Sequence, residues 1–388
     1  MKPLRKFIII CIVLTSVFVL WILLLQRAKL QQLPSNVQEA VQYQEGFTPM
    51  GTSQTNELSS VTSTMISPGV QSCIAIDAGN MLLREYCIKA SYNSACTGTY
   101  VTIDMIKFVL ARGCRFLDFE VYYLNTMPKG NSFTISELYQ PCVAFSNDST
   151  GLTMKSKNYL PLSEVFQAIH SYGFQAPSPN PNDPLLVQLR IFSDDPKIYQ
   201  DIAELVPQYL SQNLHKGMIN ANTNTLNDIM GQLVLIVDTN NKKIPNPSKQ
   251  SSHDLKSYIN MYSGGTSMPK FSPDQMSEML VNIPKIVDGQ TTSSVKGYFM
   301  VEPGSIDSTI PPSSMIPLLD WLMPVNPVEK INISFFVRNY GVQIVEFPFY
   351  VLGDSLITYE SFFEGLNSAI VPMYLALPYI AKTKQGML

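Results

Sequence analysis

Ala111-Arg-Gly-Cys-Arg-Phe-Leu-Asp-Phe-Glu120 is the stretch on which the fold turns. Ahead of it, Thr102 to Leu110 places Ile103, Ile106, Val109 and Leu110 on one helical face. Gly113 then stops the helix, and Cys114 to Val121 switches to a period of two. Phe116, Asp118 and Glu120 share one face of that strand, and Leu117, Phe119 and Val121 share the other. A helix running through a glycine into a strand is the repeating unit of a parallel α/β fold.

The same alternation extends downstream. Leu160 to His170 reads as a helix, and Leu185-Leu-Val-Gln-Leu-Arg-Ile191 as a strand with Gln188 and Arg190 on one face. Leu233 to Val237 is a wholly apolar strand, and Tyr298 to Val301 and Val342 to Phe347 read as further strands. Residues 240–295 have little periodicity and read as an irregular insertion. Strand–helix alternation over about 315 residues suits an eight-stranded (β/α)8 barrel, whose sites form at the C-terminal ends of the strands. Asp118, Glu120 and Arg190 are strand-end residues of that kind.

Upstream the pattern is different. Phe7 to Leu25 is a run of nineteen uncharged residues, with Lys2, Arg5 and Lys6 before it and Arg27 and Lys29 after it. At about 1.5 Å rise per residue, such a helix nearly spans a ~30 Å hydrocarbon layer. A cleaved signal peptide is the competing reading, but its apolar core usually runs to about 7–15 residues and ends at small residues. Residues 1–29 therefore read as an uncleaved anchor that contacts a bilayer through 7–25. The flanking charges lean towards a single-pass protein with its folded domain on the lumenal or outer side; a viral membrane is one setting compatible with this. Residues 30–71 are polar, Ser/Thr-rich and without an apolar period, and read as a flexible stalk. The folded domain is then 72–388.

The chain has 388 residues, 45% of them hydrophobic and 15% charged, with net charge −3. That composition excludes a disordered chain and an electrostatic nucleic-acid binder. Beyond Cys11, five cysteines (Cys73, Cys87, Cys96, Cys114 and Cys142) show no metal-ligand spacing with the three histidines. Core thiols are the plainer reading, with a Cys87–Cys96 or Cys73–Cys96 bridge as alternatives. His170, His215 and His253 lie on helix or loop segments away from strand ends.

Tyr86-Cys-Ile-Lys-Ala-Ser-Tyr-Asn-Ser-Ala-Cys-Thr-Gly98, followed by Ala111 to Glu120, resembles the X region of phosphatidylinositol-specific phospholipase C. Gln140-Pro-Cys-Val-Ala-Phe145, Leu160 to Ile169, Asp183 to Arg190, Glu302 to Ser308 and Gly341 to Phe349 resemble later segments of that family in order. The resemblance implies a barrel of the phospholipase C type and a phosphodiesterase site with two histidines. In calcium-dependent members it also implies a Ca²⁺ held by an asparagine and three carboxylates. Carried over by position, Asn93 is kept, but the histidines stand as Tyr92 and Phe145. The acid pair is Asp118 and Glu120, and the last carboxylate is replaced by Arg190. Lysines expected after the fifth strand are Val237 and Asp238, with Lys242 and Lys243 nearby, and later substrate-binding positions are Met300 and Glu302.

A phenylalanine donates no hydrogen bond, and a tyrosine with a pKa near 10 is a poor base at neutral pH. A guanidinium at 190 repels a divalent cation and can bridge two carboxylates. The sequence thus predicts an Asp118–Arg190–Glu120 cluster in place of a calcium site, with no metal or other cofactor. The function implied is a catalytically inactive, lipid-headgroup-binding or structural membrane-associated module for a phosphoinositide-like lipid. The alternative is a calcium-independent phosphoric diester hydrolase. The sequence names no protein partner.

Overall fold

The computed structural model describes residues 52–63, 70, 80–126, 138–146, 154–239, 243–246, 253–265, 268–272, 300–301 and 332–384. All fall within one compact unit, Tyr43–Leu388. The run 7–25 lies outside the described residues. Among those described, no helix is long and apolar enough to cross a membrane, which runs against the expectation of a single-pass membrane protein.

The first described element is a helix, α1 (Thr52–Ser63), where the sequence predicts flexible stalk. Its missing apolar period reflects how little it buries: Val61 is buried and Leu58 packs part-buried on the core. Polar contacts supply the rest, and these escape a hydrophobicity pattern.

The core alternates as expected. Strand β1 (Tyr86–Ser91) leads to α2 (Ile103–Ala111), and β2 (Phe116–Asn125) to an antiparallel strand β3 (Tyr139–Ala144) and a two-residue β4 (Leu160–Pro161). Then come α3 (Leu162–Tyr172), β5 (Leu185–Ile191), α4 (Lys197–Tyr209) and β6 (Leu233–Asp238). Two strands, β7 (Met261–Tyr262) and β8 (Lys270–Phe271), fall in the segment read as an insertion, and β9 is Met300–Val301. Two-residue strands are too short to show a period, so the sequence could not reveal them. The chain continues through α5 (Ile333–Tyr340), β10 (Ile344–Phe347), α6 (Asp354–Gly365), β11 (Ile370–Pro372) and α7 (Met373–Lys384).

The sheet path runs β7-β6-β5-β2-β1-β10-β9-β8, and every pairing along it is parallel. Strands β3 and β11 add antiparallel partners to β2 and β1. The fold is thus a mixed α/β sheet in which, among the described residues, no pairing joins β7 to β8 to close the barrel the sequence predicts.

Both faces of the sheet are covered, as a parallel sheet requires. Leu117, Phe119, Val187, Leu189, Leu235 and Val237 face the helices, where Met105, Ile106, Val165, Phe166 and Ile202 meet them. On the opposite face, Ile88, Phe116, Leu186, Val234 and Ile344 form a second apolar cluster. Two residues further along β2, β5 and β10 this inner face turns polar, at Asp118, Gln188 and Glu346.

The Arg-Gly-Cys-Arg turn joins α2 to β2. Thr102 caps α2 by accepting from the Met105 amide at 3.1 Å. Gly113 has φ +81°, and a Cβ there would lie 3.3 Å from Val70 Cβ. Gly113→Ala is expected to cost about 1–2 kcal/mol, since the left-handed backbone disfavours an L side chain; thermal denaturation would read it as a lowered midpoint.

Arg115 is fully buried beneath the sheet. It donates to the carbonyls of Cys114, Asn180, Asp183 and Gly173 at 3.1, 3.1, 3.4 and 2.9 Å, and to Ser178 Oγ at 2.9 Å. Burial pushes its pKa down to about 10. Cys87, Cys96, Cys114 and Cys142 are free and buried, so no Cys87–Cys96 bridge forms; Cys73 lies outside the described residues.

Candidate functional site at the C-terminal strand ends

Register decides which side chains meet. Asp118 pairs with Gln188 and Glu120 with Arg190 across β2 and β5, and Arg190 pairs with Asp238 on β6. In-register residues of parallel neighbours project to the same side, so these groups converge on the inner face.

Arg190 is the hub. Its Nε donates to Asp118 Oδ1 at 2.8 Å and its Nη2 to Asp118 Oδ2 at 2.6 Å, a bidentate grip. Nη1 lies 3.2 Å from Glu120 Oε1, and Nη2 donates to Asn93 Oδ1 at 2.8 Å. The guanidinium carbon sits 4.5 Å from the centroid of the Tyr92 ring, whose hydroxyl accepts from Nη1 at 3.3 Å. Burial works against the charge on Arg190, but Asp118, Tyr92 and Glu120 together hold its pKa well above the ordinary value. It is a cation locked in place.

Asn93 ties the two acids to β1. It stands at φ 45°, a left-handed position that asparagine tolerates better than most residues. There its amide donates to Asp118 Oδ2 at 3.0 Å, and its side-chain amide to Glu120 Oε1 at 3.1 Å. Glu120 also accepts from the Tyr122 hydroxyl at 2.8 Å and the Ser146 amide at 2.6 Å. Burial pushes the Glu120 carboxyl above its ordinary value, and Arg190 with these donors opposes the rise.

Below this layer, Gln188 Nε2 bridges Asp118 Oδ1 at 3.0 Å and Glu346 Oε1 at 3.3 Å. Glu346 on β10 is fully buried. The sequence places it on a strand, but its partners come from a strand over 150 residues away, which periodicity cannot show. Lys270 Nζ reaches Asp238 at 2.5 Å at the end of β6, and Lys270 sits in the unperiodic segment for the same reason.

Phe145, at the second histidine position, is buried and packs 6.5 Å from the Tyr350 ring. It lines a narrow crevice with Asn93, Cys96, Val101 and Phe119. The three histidines are elsewhere: His170 is exposed, His215 contacts Gln232 at 2.7 Å and His253 contacts Tyr258 at 2.8 Å. Lys243 is exposed, and Lys242 and Glu302 lie outside the described residues.

The donor set does not fit the calcium ion of the resembled phospholipases. Two carboxylates, Asp118 and Glu120, are close by, but a guanidinium already sits within 3.2 Å of each, where a divalent cation would be repelled. Chemically, the arrangement satisfies charge internally and offers neither an imidazole nor a reactive thiol; burial drives Cys96 well above its ordinary pKa.

No family model matches the sequence, and no curated protein matches it. Solved structures do. S. officinalis PLC21 is 14% identical, with a TM-score of 0.51 over 77% of this chain and 38% of its own. L. pealei PLC21 is 15% identical, with a TM-score of 0.48 over 76% and 37% of the two chains. The phosphatidylinositol-specific phospholipase C of Listeria monocytogenes is 13% identical, with a TM-score of 0.42 over 76% and 98%. This chain thus spans well under half the length of either PLC21 protein. At 14% identity the first of these likenesses speaks to architecture alone, and by that measure the chain has a phospholipase C-like α/β fold.

Proposed function

We propose that this protein is a phospholipase C-like module without phosphodiesterase activity, acting in binding or as a structural part, with a phosphoinositide-like headgroup as its candidate ligand class. One observation carries the reading. Arg190 spends its guanidinium on Asp118, Glu120 and Asn93 at the positions where the resembled family holds metal and substrate. An arginine so engaged has little left for a phosphate, and releasing it would leave two buried carboxylates unpaired. Tyr92 and Phe145 supply no neutral-pH base or acid where that family has its histidines.

The test is cleavage of phosphatidylinositol by the full chain, with calcium and with chelator. No turnover from a folded sample is expected in either condition. Turnover that survives chelator and disappears in Arg190→Ala would overturn the reading and establish a metal-free phosphoric diester hydrolase.

A further inference from the structure

The loop after β1 holds a second arrangement, separate from the Arg190 cluster and independent of how that cluster is interpreted. Four donors from one short turn converge on the single carboxylate of Glu57 in α1. Thr97 Oγ1 and the Thr99 amide each donate to Oε1 at 2.6 Å, and the Tyr100 amide donates to the same oxygen at 3.3 Å. Thr99 Oγ1 donates to Oε2 at 2.5 Å. The short distances are those of charge-assisted bonds.

Gly98 builds this cradle. Its φ of +129° turns the neighbouring amides inward, and a Cβ there would stand 3.3 Å from Glu57 Oε1. Successive backbone N–H groups in such a turn form a concavity suited to an anion. Lys157 adds positive charge at the edge: its amide donates to the Thr99 carbonyl at 2.8 Å, and its exposed Nζ lies 5.3 Å from the Tyr100 ring centroid.

Beyond this carboxylate, α1 buries little apolar surface. Of the apolar side chains of α1, Val61 is buried and Leu58 is half-buried, while Ser53, Thr55, Asn56, Ser59, Ser60 and Ser63 are exposed. The carboxylate, with four donors, is a principal anchor of the helix. Burial acts to raise the pKa of Glu57, but its donors outweigh this and hold the carboxyl below its ordinary value.

We propose that the Thr97–Tyr100 turn is an oxyanion-binding site for phosphate-type ligands, which this chain fills with its own Glu57. A phosphate offers a similar oxygen spacing with more charge and more acceptors, and hydroxyl and amide donors suit it. The tethered carboxylate competes with it, so ligand binding and release of α1 are linked.

The experiment uses the full chain with Thr and Tyr amides isotopically labelled, titrated with inorganic phosphate and, separately, with myo-inositol 1-phosphate. In Glu57→Ala, phosphate is expected to shift the Thr99 and Tyr100 amide resonances. In the parent chain binding should be weaker by at least about tenfold, because a tethered competitor acts at an effective concentration in the millimolar range. Tighter binding of the inositol phosphate would identify a headgroup as the source, and equal binding a free phosphate. Adding Thr97→Val and Thr99→Val should abolish the response. Glu57→Gln, which keeps the shape and loses the charge, serves if the alanine variant does not fold. No shift in a folded Glu57 variant, or a shift that survives loss of both threonine hydroxyls, overturns the proposal.

Discussion

Arg190→Met is expected to cost about 3–5 kcal/mol of stability, the usual penalty for removing one partner of a buried ion pair. The loss would be read as a lowered urea midpoint with an unchanged slope. The size follows from what remains. Asp118 would keep the Asn93 and Gln188 donors, and Glu120 those from Asn93, Tyr122 and Ser146, but no cation would face either acid. The Glu120 carboxyl, already pushed up by burial, would then lose the cation that opposes the rise. A raised folded-state carboxyl binds its proton more readily than the unfolded chain does, so stability falls as pH rises between the two values. The deficit of Arg190→Met against the parent should therefore be larger at pH 7.5 than at pH 5. Replacing Arg190, Asp118 and Glu120 together by apolar residues of similar volume should recover most of the loss, because desolvated charges contribute little net stability. A deficit independent of pH would show that the acids are not what the arginine compensates.

A comparable loss, about 3–5 kcal/mol, is expected for Glu360→Ala on the outer side of the sheet. Glu360 lies 3.0 Å from the fully buried Lys89 Nζ and hydrogen-bonds Arg112 at very short range. Without it, Lys89 and Arg112 lose the carboxylate they share, and the part-exposed Glu364, 3.4 Å from Arg112, is a weaker counter-charge. Lys89→Met should cost less, because the Arg112–Glu360 pair survives and a methionine fills the space beside Phe363. Chemical denaturation of the two single variants gives the order directly. Lys89→Met proving the more harmful would show that the lysine's bond to the Arg112 carbonyl, at 2.6 Å, matters more than the ion pair.

The central sheet was legible because its signals are local. Asp118 and Glu120 share a face by period two, Gly113 ends a helix by its backbone, and β5 and β6 are apolar runs of strand length. Register between strands is not local. The Asp118–Arg190–Glu120 cluster could be expected from the residues at the resembled calcium positions, and Arg190 does contact both acids, but its bond to Asn93 depends on how β1, β2 and β5 align. Glu346 and Gln188 escaped notice as partners for that reason. Helix α1 escaped for another: its docking rests on one carboxylate and two apolar side chains, whereas a sequence reader weighs apolar periodicity. The short strands β7 and β8 carry too few residues to leave any pattern.

Arg115 has a consequence for motion. Its charge is met by carbonyl dipoles of the connection between α3 and β5 and by Ser178, not by a carboxylate hydrogen-bonded to it. If the 173–183 segment peeled away, the carbonyls would find water readily, but the guanidinium would be stranded within the sheet. Opening of that segment therefore carries the desolvation cost of an unaccompanied cation. A connection that would ordinarily be among the first parts of a domain to fluctuate belongs here to the same cooperative unit as the central strands. Its amides should be released to solvent only when the whole molecule lets go.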